Sequence, residues 1–405
     1  MEGRLFSPVN EIEEAIMKKP AKEESLITLF LAGDVMTGRG IDQILPHPND
    51  PTIHEAYLKN AGRYVELGEE ANGPIATPVD FPYIWGDTLS ELERAAPDVR
   101  IINLETSITG SDDFWEGKDI HYRMNPKNII CLTAAKIDFC SLANNHTLDW
   151  GYSGLTETLE TLRKAKMKFA GAGRNLEEAG APAVMEVHGK GRVIIFSFGA
   201  GSSGIPLEWG ALENKPGVNL LPDLSFQTIQ SVKKRIRAVK RERDIVVASI
   251  HWGRNWGYEV SPGQISFAHG LIEEAGVDLI HGHSSHHVKG IEVYRGRLIL
   301  YGCGDFLNDY EGINGYEAYR GDLTLMYFAR LDSSTGKISQ LWMAPMQIKN
   351  FRLNRPSQAD AGWLGEVLNR EGKKFGTRFI LDEVGQLRLQ EGKKQSPLPE
   401  KEKTL

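Results

Sequence analysis

The sequence predicts an α/β fold, and three observations predict it. Short apolar runs of strand length alternate with segments of helical periodicity. Several of those runs end directly in Gly, Asp, Asn or His, as strands do where they give way to ligand-binding loops. The 42 glycines in 405 residues exceed the usual share of about 7% and supply the tight turns such a fold needs. At roughly 100–200 residues per domain, this length suits two domains or one large elaborated one.

In order, residues 1–25 read as an N-terminal arm, and Ile27–Gly33 is a continuous apolar run that reads as a buried strand. A segment rich in Pro, Asn and Gly, residues 46–82, reads as an insertion. Thr88–Ala96 has helical periodicity, Asp98–Glu105 is a second buried strand and Ile137–His146 a third, followed by a helix near Gly154–Lys166. Arg192–Ala200 adds a strand, and residues 201–224, with several Gly and Pro around Trp209, read as a surface excursion. Phe226–Glu242 is an amphipathic helix, Asp244–Gly253 the clearest strand, and Ile265–Ala275 a helix before the strand Val277–His283. The hairpin Ile291–Gly302 and an antiparallel pair, LTLMYFARL with ISQLWMAPMQI, complete a body spanning 26–350. Residues 351–390 are expected as a C-terminal helical extension, and 391–405 as a disordered tail.

Composition excludes several classes of function. Apolar residues are 41% and charged residues 25%, the balance of a globular protein rather than a fibre or membrane bundle. Forty-seven basic against 54 acidic residues leave a formal charge of −7, which disfavours nucleic-acid binding. The basic run in Phe226–Glu242 is then most simply a solvated helix face. Cys131, Cys140 and Cys303 lack CxxC spacing and fit buried thiols in a reducing compartment. No apolar stretch approaches the ~20 residues that span a bilayer, so a cytoplasmic protein without a membrane anchor is expected.

Five predicted strands run into metal-type ligands: Asp34, Asn103 to Glu105, Asn144 to His146, His251, and the His281–His287 cluster. Each piece alone could be a turn or cap. Together they place carboxylates and imidazoles at one end of a sheet, a donor set that suits Zn, Mn or Fe.

The ordered motifs GDVMTGRG, NLE, NNHTLDWG, HWGRNWGYEVSPGQ, GHSSHH and YGCGDFLND, between Leu26 and Asp309, resemble the CapA family, named for poly-γ-glutamate capsule synthesis. That family is similar in fold to the calcineurin-like metallophosphoesterases, which implies a four-layer α-β-β-α sandwich of the metallo-dependent phosphatase type. The resemblance implies Asp34, Glu105, Asn145, His251, His283 and His286 as metal ligands, with Glu105 bridging. It implies one or two divalent ions per chain. Met36 stands where the related enzymes have a histidine ligand, so the subsite of Asp34 and His286 is expected to be the weaker. His146 is the expected general acid or base, the alternative being that it only holds a neighbour by hydrogen bonding. Arg39 and Arg254 are candidates to clamp an anionic substrate oxygen, with salt bridging as the alternative. Asp305 and Asn308 are expected in a turn or supporting role, and His281 and His287 not as ligands. The implied activity is a metallohydrolase acting on a γ-glutamyl amide or a phosphoester, the substrate being an acidic small molecule or polymer. The alternatives are a non-catalytic polymer-binding component of a capsule synthesis complex and a phosphoesterase unrelated to capsule.

Overall fold

The structure is a computed structural model that describes residues 25–390; the expected tail and all of the arm except Ser25 lie outside these residues. In chain order the first strands are β1 (Leu26–Val35), β2 (Val99–Leu104), β3 (Phe139–Ser141), β4 (Lys168–Ala170), β5 (Ala183–Val187), β6 (Gly191–Ala200) and β7 (Leu220–Leu221). They are followed by β8 (Asp244–His251), β9 (Leu279–His283), β10 (Ile291–Tyr294), β11 (Arg297–Leu300) and β12 (Asp305–Leu307). The last are β13 (Leu323–Asp332), β14 (Lys337–Ile348), β15 (Leu353–Asn354), β16 (Phe379–Leu381) and β17 (Leu387–Leu389).

These strands form two large sheets rather than one. The first runs β16-β17-β14-β13-β1-β2-β3-β4, with β12 also paired to β1 and β15 to β14. The second runs β7-β6-β8-β9-β11-β10, with β5 on β6. Both are parallel in the middle, β1 with β2 and β2 with β3 in one, β6 with β8 and β8 with β9 in the other. The hairpin of Ile291–Gly302 extends the second sheet, whereas the pair β13–β14 extends the first.

Three hydrophobic clusters correspond to three interfaces between four layers. Ile27, Leu29 and Leu31 of β1 meet Val193, Ile195, Val247 and Leu279 between the sheets. The opposite face of the first sheet, with Phe30, Ile102 and Cys140, packs on Leu155, Leu159 and Leu162 of a helix at Gly151–Lys164. On the outside of the second sheet, Phe196, Val246 and Ile280 pack on Ile229, Val232 and Ile236 of the helix Phe226–Val239. This is the four-layer α-β-β-α sandwich. Strands buried on both faces read as unbroken apolar runs, which is why periodicity alone could not assign them to separate sheets.

Helix starts follow local chemistry. Ser225 accepts the Thr228 amide proton, and Ser261 with Gln264 forms a capping box before Pro262. The stretch 46–82 holds the helix Gly62–Asn72 and buries Glu55 and Tyr64. Trp209, expected on a surface excursion, is fully buried against Trp115. Residues 351–390 contain the helix Gln358–Gly372 and also the hairpin β16–β17, which joins the first sheet beside β14.

Leu29→Ala, at a position with no exposed surface between the sheets, should cost about 2–5 kcal/mol in urea unfolding. Ile380→Ala on the edge hairpin, 45% exposed, should change stability by about 0.5 kcal/mol or less.

Candidate metal centre

Register places the polar strand ends side by side. In the first sheet Asp34 pairs with Asn103 on β2 and with Asp305 on β12. In the second, His251 pairs with His283. The two sheets face each other, so these buried ends converge, and a cavity of about 820 Å³ opens beside them. Its lining includes Glu105, Asn145, His146 and His286, with Arg39, Lys118, Tyr122 and Tyr310.

Two groups of donor atoms could each hold an ion, every atom within 4.8 Å of the others: Asp34 with His251 and His283, and Asp34 with Glu105 and Asp305. Asp34, rather than Glu105, is common to both. Neither group contains His286, whose Nδ1 lies 2.9 Å from Asp305 Oδ1. Asn145 presents Oδ1 to His251 Nε2 at 2.8 Å, so it orients that ring. Glu105 Oε1 stands 3.8 Å from His251 Nε2 and 3.9 Å from His146 Nε2.

Hydrogen bonding dictates which ring nitrogen is available. His281 Nε2 lies 2.9 Å from the Ala32 carbonyl, which can only accept, so that nitrogen carries the proton. His281 Nδ1 then accepts from Ser249 Oγ at 3.0 Å. Ser249 Oγ in turn accepts from His283 Nε2–H at 2.9 Å, which leaves His283 Nδ1 with a lone pair. That atom is 2.8 Å from His251 Nδ1 and 3.8 Å from Asp34 Oδ1. With the Asn145 oxygen on His251 Nε2, two imidazole lone pairs point at each other, an arrangement suited to a cation.

Electrostatics agree with that need. Burial pushes the Asp34 carboxyl up to about 7, and neighbouring Asp305 adds to the shift. Glu105 is also held well above the usual carboxylate range, by burial and then by Asp34 and Asp305. Burial holds His251 and His283 well below the ordinary imidazole value, which keeps them neutral and able to ligate. For His286 burial opposes the charge, but Asp305 outweighs it and raises the value. Three buried carboxylates and two neutral imidazoles fit a divalent ion pair better than any protein counter-charge within reach.

Beside this set, His146 Nδ1 is 2.6 Å from Asp149 Oδ2 and 3.0 Å from Lys118 Nζ. Lys118 also bonds Asp149 Oδ1, and Tyr122 stacks on the imidazole at 3.9 Å between ring centres. The short contact to a carboxylate puts the proton on Nδ1, so Nε2 looks toward Glu105 and the cavity. His146 bonds Asp149 and does not hold Asp34. Burial, partly offset by Lys118, moves the Asp149 carboxyl up to about 6.

The two arginines part company. Arg39 lines the cavity, but its fork is engaged: Nη1 donates to Glu55 and to Tyr64 at 2.8 Å, and Nε and Nη2 to Asp309. The bidentate face expected for substrate therefore holds Asp309. Arg254 is exposed and stands outside the cavity lining, where Asn255 and Trp256 are found instead. Trp256 stacks on Tyr316 at 4.1 Å, while Trp252 is core against Tyr301 and Phe267. His287 Nδ1 lies 3.1 Å from the Val288 carbonyl. Lys118, Asp149, Ser249 and Asp305 are the site residues that the sequence reading missed or undervalued. Asp149 alone had a visible signal, three residues beyond His146 in NNHTLDWG.

Residues 28–310 match the family described as "Bacterial capsule synthesis protein PGA_cap". The chain belongs to the PGA_cap family. Its PGA_cap segment covers every residue named above as a candidate ligand. Over 361 residues it is 46% identical to a probable polyglutamine synthesis accessory protein of Mycobacterium tuberculosis, spanning 89% of this chain and 95% of that protein. It is 23% identical over 296 residues to the capsule biosynthesis protein CapA of Bacillus anthracis, spanning 73% and 63% of the two chains. Among solved structures, a phosphatase of Mycoplasma pneumoniae aligns with a TM-score of 0.45 at 13% identity, covering 82% of this chain and 95% of that one, too distant to bear on activity. No helix among the described residues of this PGA_cap member is long and apolar enough to cross a membrane.

Two measurements check the centre. Because Asp34 keeps its proton up to about pH 7, metal uptake at pH 6 should release protons, and affinity should rise as pH passes through 7. Calorimetry in two buffers of different ionisation enthalpy reads that release directly. Ser249→Ala, which removes the link fixing the His283 ring, should weaken zinc binding by about 10–100-fold.

Proposed function

We propose that this PGA_cap member is a metal-dependent hydrolase whose substrate is a γ-glutamyl amide of an acidic peptide or polymer, in poly-γ-glutamate metabolism. The observation that carries this reading is His146, oriented by Asp149, with Nε2 3.9 Å from Glu105 Oε1 of the converging donor set, on a cavity that both residues line. A phosphoester is the second substrate class, because the same donor chemistry serves acyl and phosphoryl transfer.

Asp34, Glu105, Asp305, His251 and His283 would hold the divalent ions, with Asn145 and His286 orienting neighbours. Bound there, such ions supply Lewis-acid polarisation of a carbonyl or phosphoryl oxygen and an ionised water at neutral pH. The chain's own part is proton management and positioning. His146 exchanges a proton through Nε2 with the nucleophile or leaving group, while Asp149 keeps Nδ1–H in place. Lys118 beside Asp149 balances the carboxylate and closes that side of the cavity. Tyr122 packs against the imidazole and restricts its rotation.

The word "accessory" in the name of the mycobacterial relative favours one other reading, a binder of the acidic polymer without turnover. His146→Ala separates the two. For a hydrolase, turnover of γ-glutamyl peptides or phosphoesters should fall about 10²–10⁴-fold with bound metal unchanged. His283→Ala should lose metal and activity together. A metal-loaded wild type that binds poly-γ-glutamate yet hydrolyses neither substrate class would sink the hydrolase reading.

A further inference from the structure

The resemblance puts Met36 at a histidine-ligand position, which would leave one subsite short of a donor. Met36 itself is buried in the core, its sulfur accepting the Gly38 amide proton at 3.1 Å, so it is committed elsewhere. Strand β12 returns along β1 in parallel register, with Asp305 as the direct partner of Asp34. That approach depends on Gly33: a Cβ there would lie 1.8 Å from the Gly304 carbonyl oxygen, and the Asp34 amide donates to that same oxygen at 3.1 Å. Asp305 is then steadied from the far side, by Asn308 Nδ2 at 2.9 Å and by His286 Nδ1 at 2.9 Å. Glu105, 3% exposed, faces this group, with its Oε1 3.8 Å from His251 Nε2 and 3.9 Å from His146 Nε2.

We propose that Asp305 is a metal ligand replacing the missing histidine, so that the second subsite is made of Asp34, Glu105 and Asp305 and selects a hard cation of the Mn²⁺ or Mg²⁺ type. The first subsite, with His251 and His283, takes a zinc-type ion, since imidazole suits borderline ions and carboxylate suits hard ones. The centre is thus chemically unequal, and His286 is a positioning residue for Asp305. This rests on the metallohydrolase reading for its purpose, but its test reads binding and not turnover.

The metal-stripped full chain is loaded with one equivalent of Zn²⁺ and titrated with Mn²⁺, followed by calorimetry and by the electron paramagnetic resonance of bound Mn²⁺. Wild type should take one further Mn²⁺. Asp305→Asn should weaken that Mn²⁺ about 10–100-fold while leaving Zn²⁺ affinity within a few-fold, and retained Zn²⁺ binding reports that the variant is folded. Should that variant not fold, Asn308→Ala, which removes the bond to Asp305 together with the one from the Tyr310 amide, should weaken Mn²⁺ several-fold and spare Zn²⁺. Unchanged Mn²⁺ affinity in the folded variant, equal loss of both ions, or a wild type that binds Zn²⁺ but no Mn²⁺ would overturn the proposal and leave the hydrolase reading standing. A wild type that binds neither ion would remove both.

Discussion

The burial of three carboxylates at adjoining strand ends, met at ion-pair distance among the described residues by histidines rather than by lysine or arginine, is the constraint on which the rest of the centre depends. Asp34, Asp305 and Glu105 are each 3% exposed or less, and burial beside neighbouring carboxylates makes Asp34 and Glu105 resist ionisation. Sequestering them costs free energy that the fold recovers only through a bound cation or through protonation. The raised Asp34 and Glu105 values are the mark of that tension. Facing them, the His251 and His283 lone pairs are held open by burial and by the chain through Ser249 and His281 to the Ala32 carbonyl. Acidic and basic halves come from different sheets, so the centre exists only where the layers are stacked.

Around this core the protein spends its other buried charges on position rather than on ligation. Arg39, in a left-handed backbone conformation at φ 46°, ties Glu55 and Tyr64 of the 46–82 stretch to Asp309 after β12. Tyr122 and Tyr310, whose hydroxyls are 2.7 Å apart, lean on the same guanidinium and reach His146 and His286 respectively. The 46–82 stretch therefore braces one wall of the cavity. On the other side, Lys118 and Asp149 form a buried pair whose charges offset each other beside His146. A neutral imidazole with one nitrogen pinned and one open suits proton exchange more than ligation.

Much of the candidate site was legible because its polar side chains sit at strand termini, where an apolar run changes abruptly into Asp, Asn or His. Asp34, Glu105, Asn145, His251 and His283 carry that signature, and all lie at the ends of predicted strands. Asp305 does not, since it begins a three-residue strand within GDFLND and looks like a turn residue. Its meaning comes from pairing with Asp34, far away in the chain. Lys118 lies in a stretch without periodicity, and nothing local marks it. Arg39 and Arg254 stand at similar distances from strand ends, yet one is buried between two carboxylates and the other is exposed.

The sequence by itself determined the alternation of strands and helices, the charge balance, the family-like order of motifs and the types of donor available. Those properties are local: they follow from periodicity, composition and the chemistry of single residues. Tertiary structure alone decided that the strands divide into two sheets, because strands covered on both faces look alike whichever sheet receives them. It also decided that Asp34 is shared by both donor groups, that Asp305 joins them, and that His286 and Asn145 orient neighbours. Each of these depends on the register between strands distant in sequence, and a shift of one residue would turn the same side chain to the opposite face.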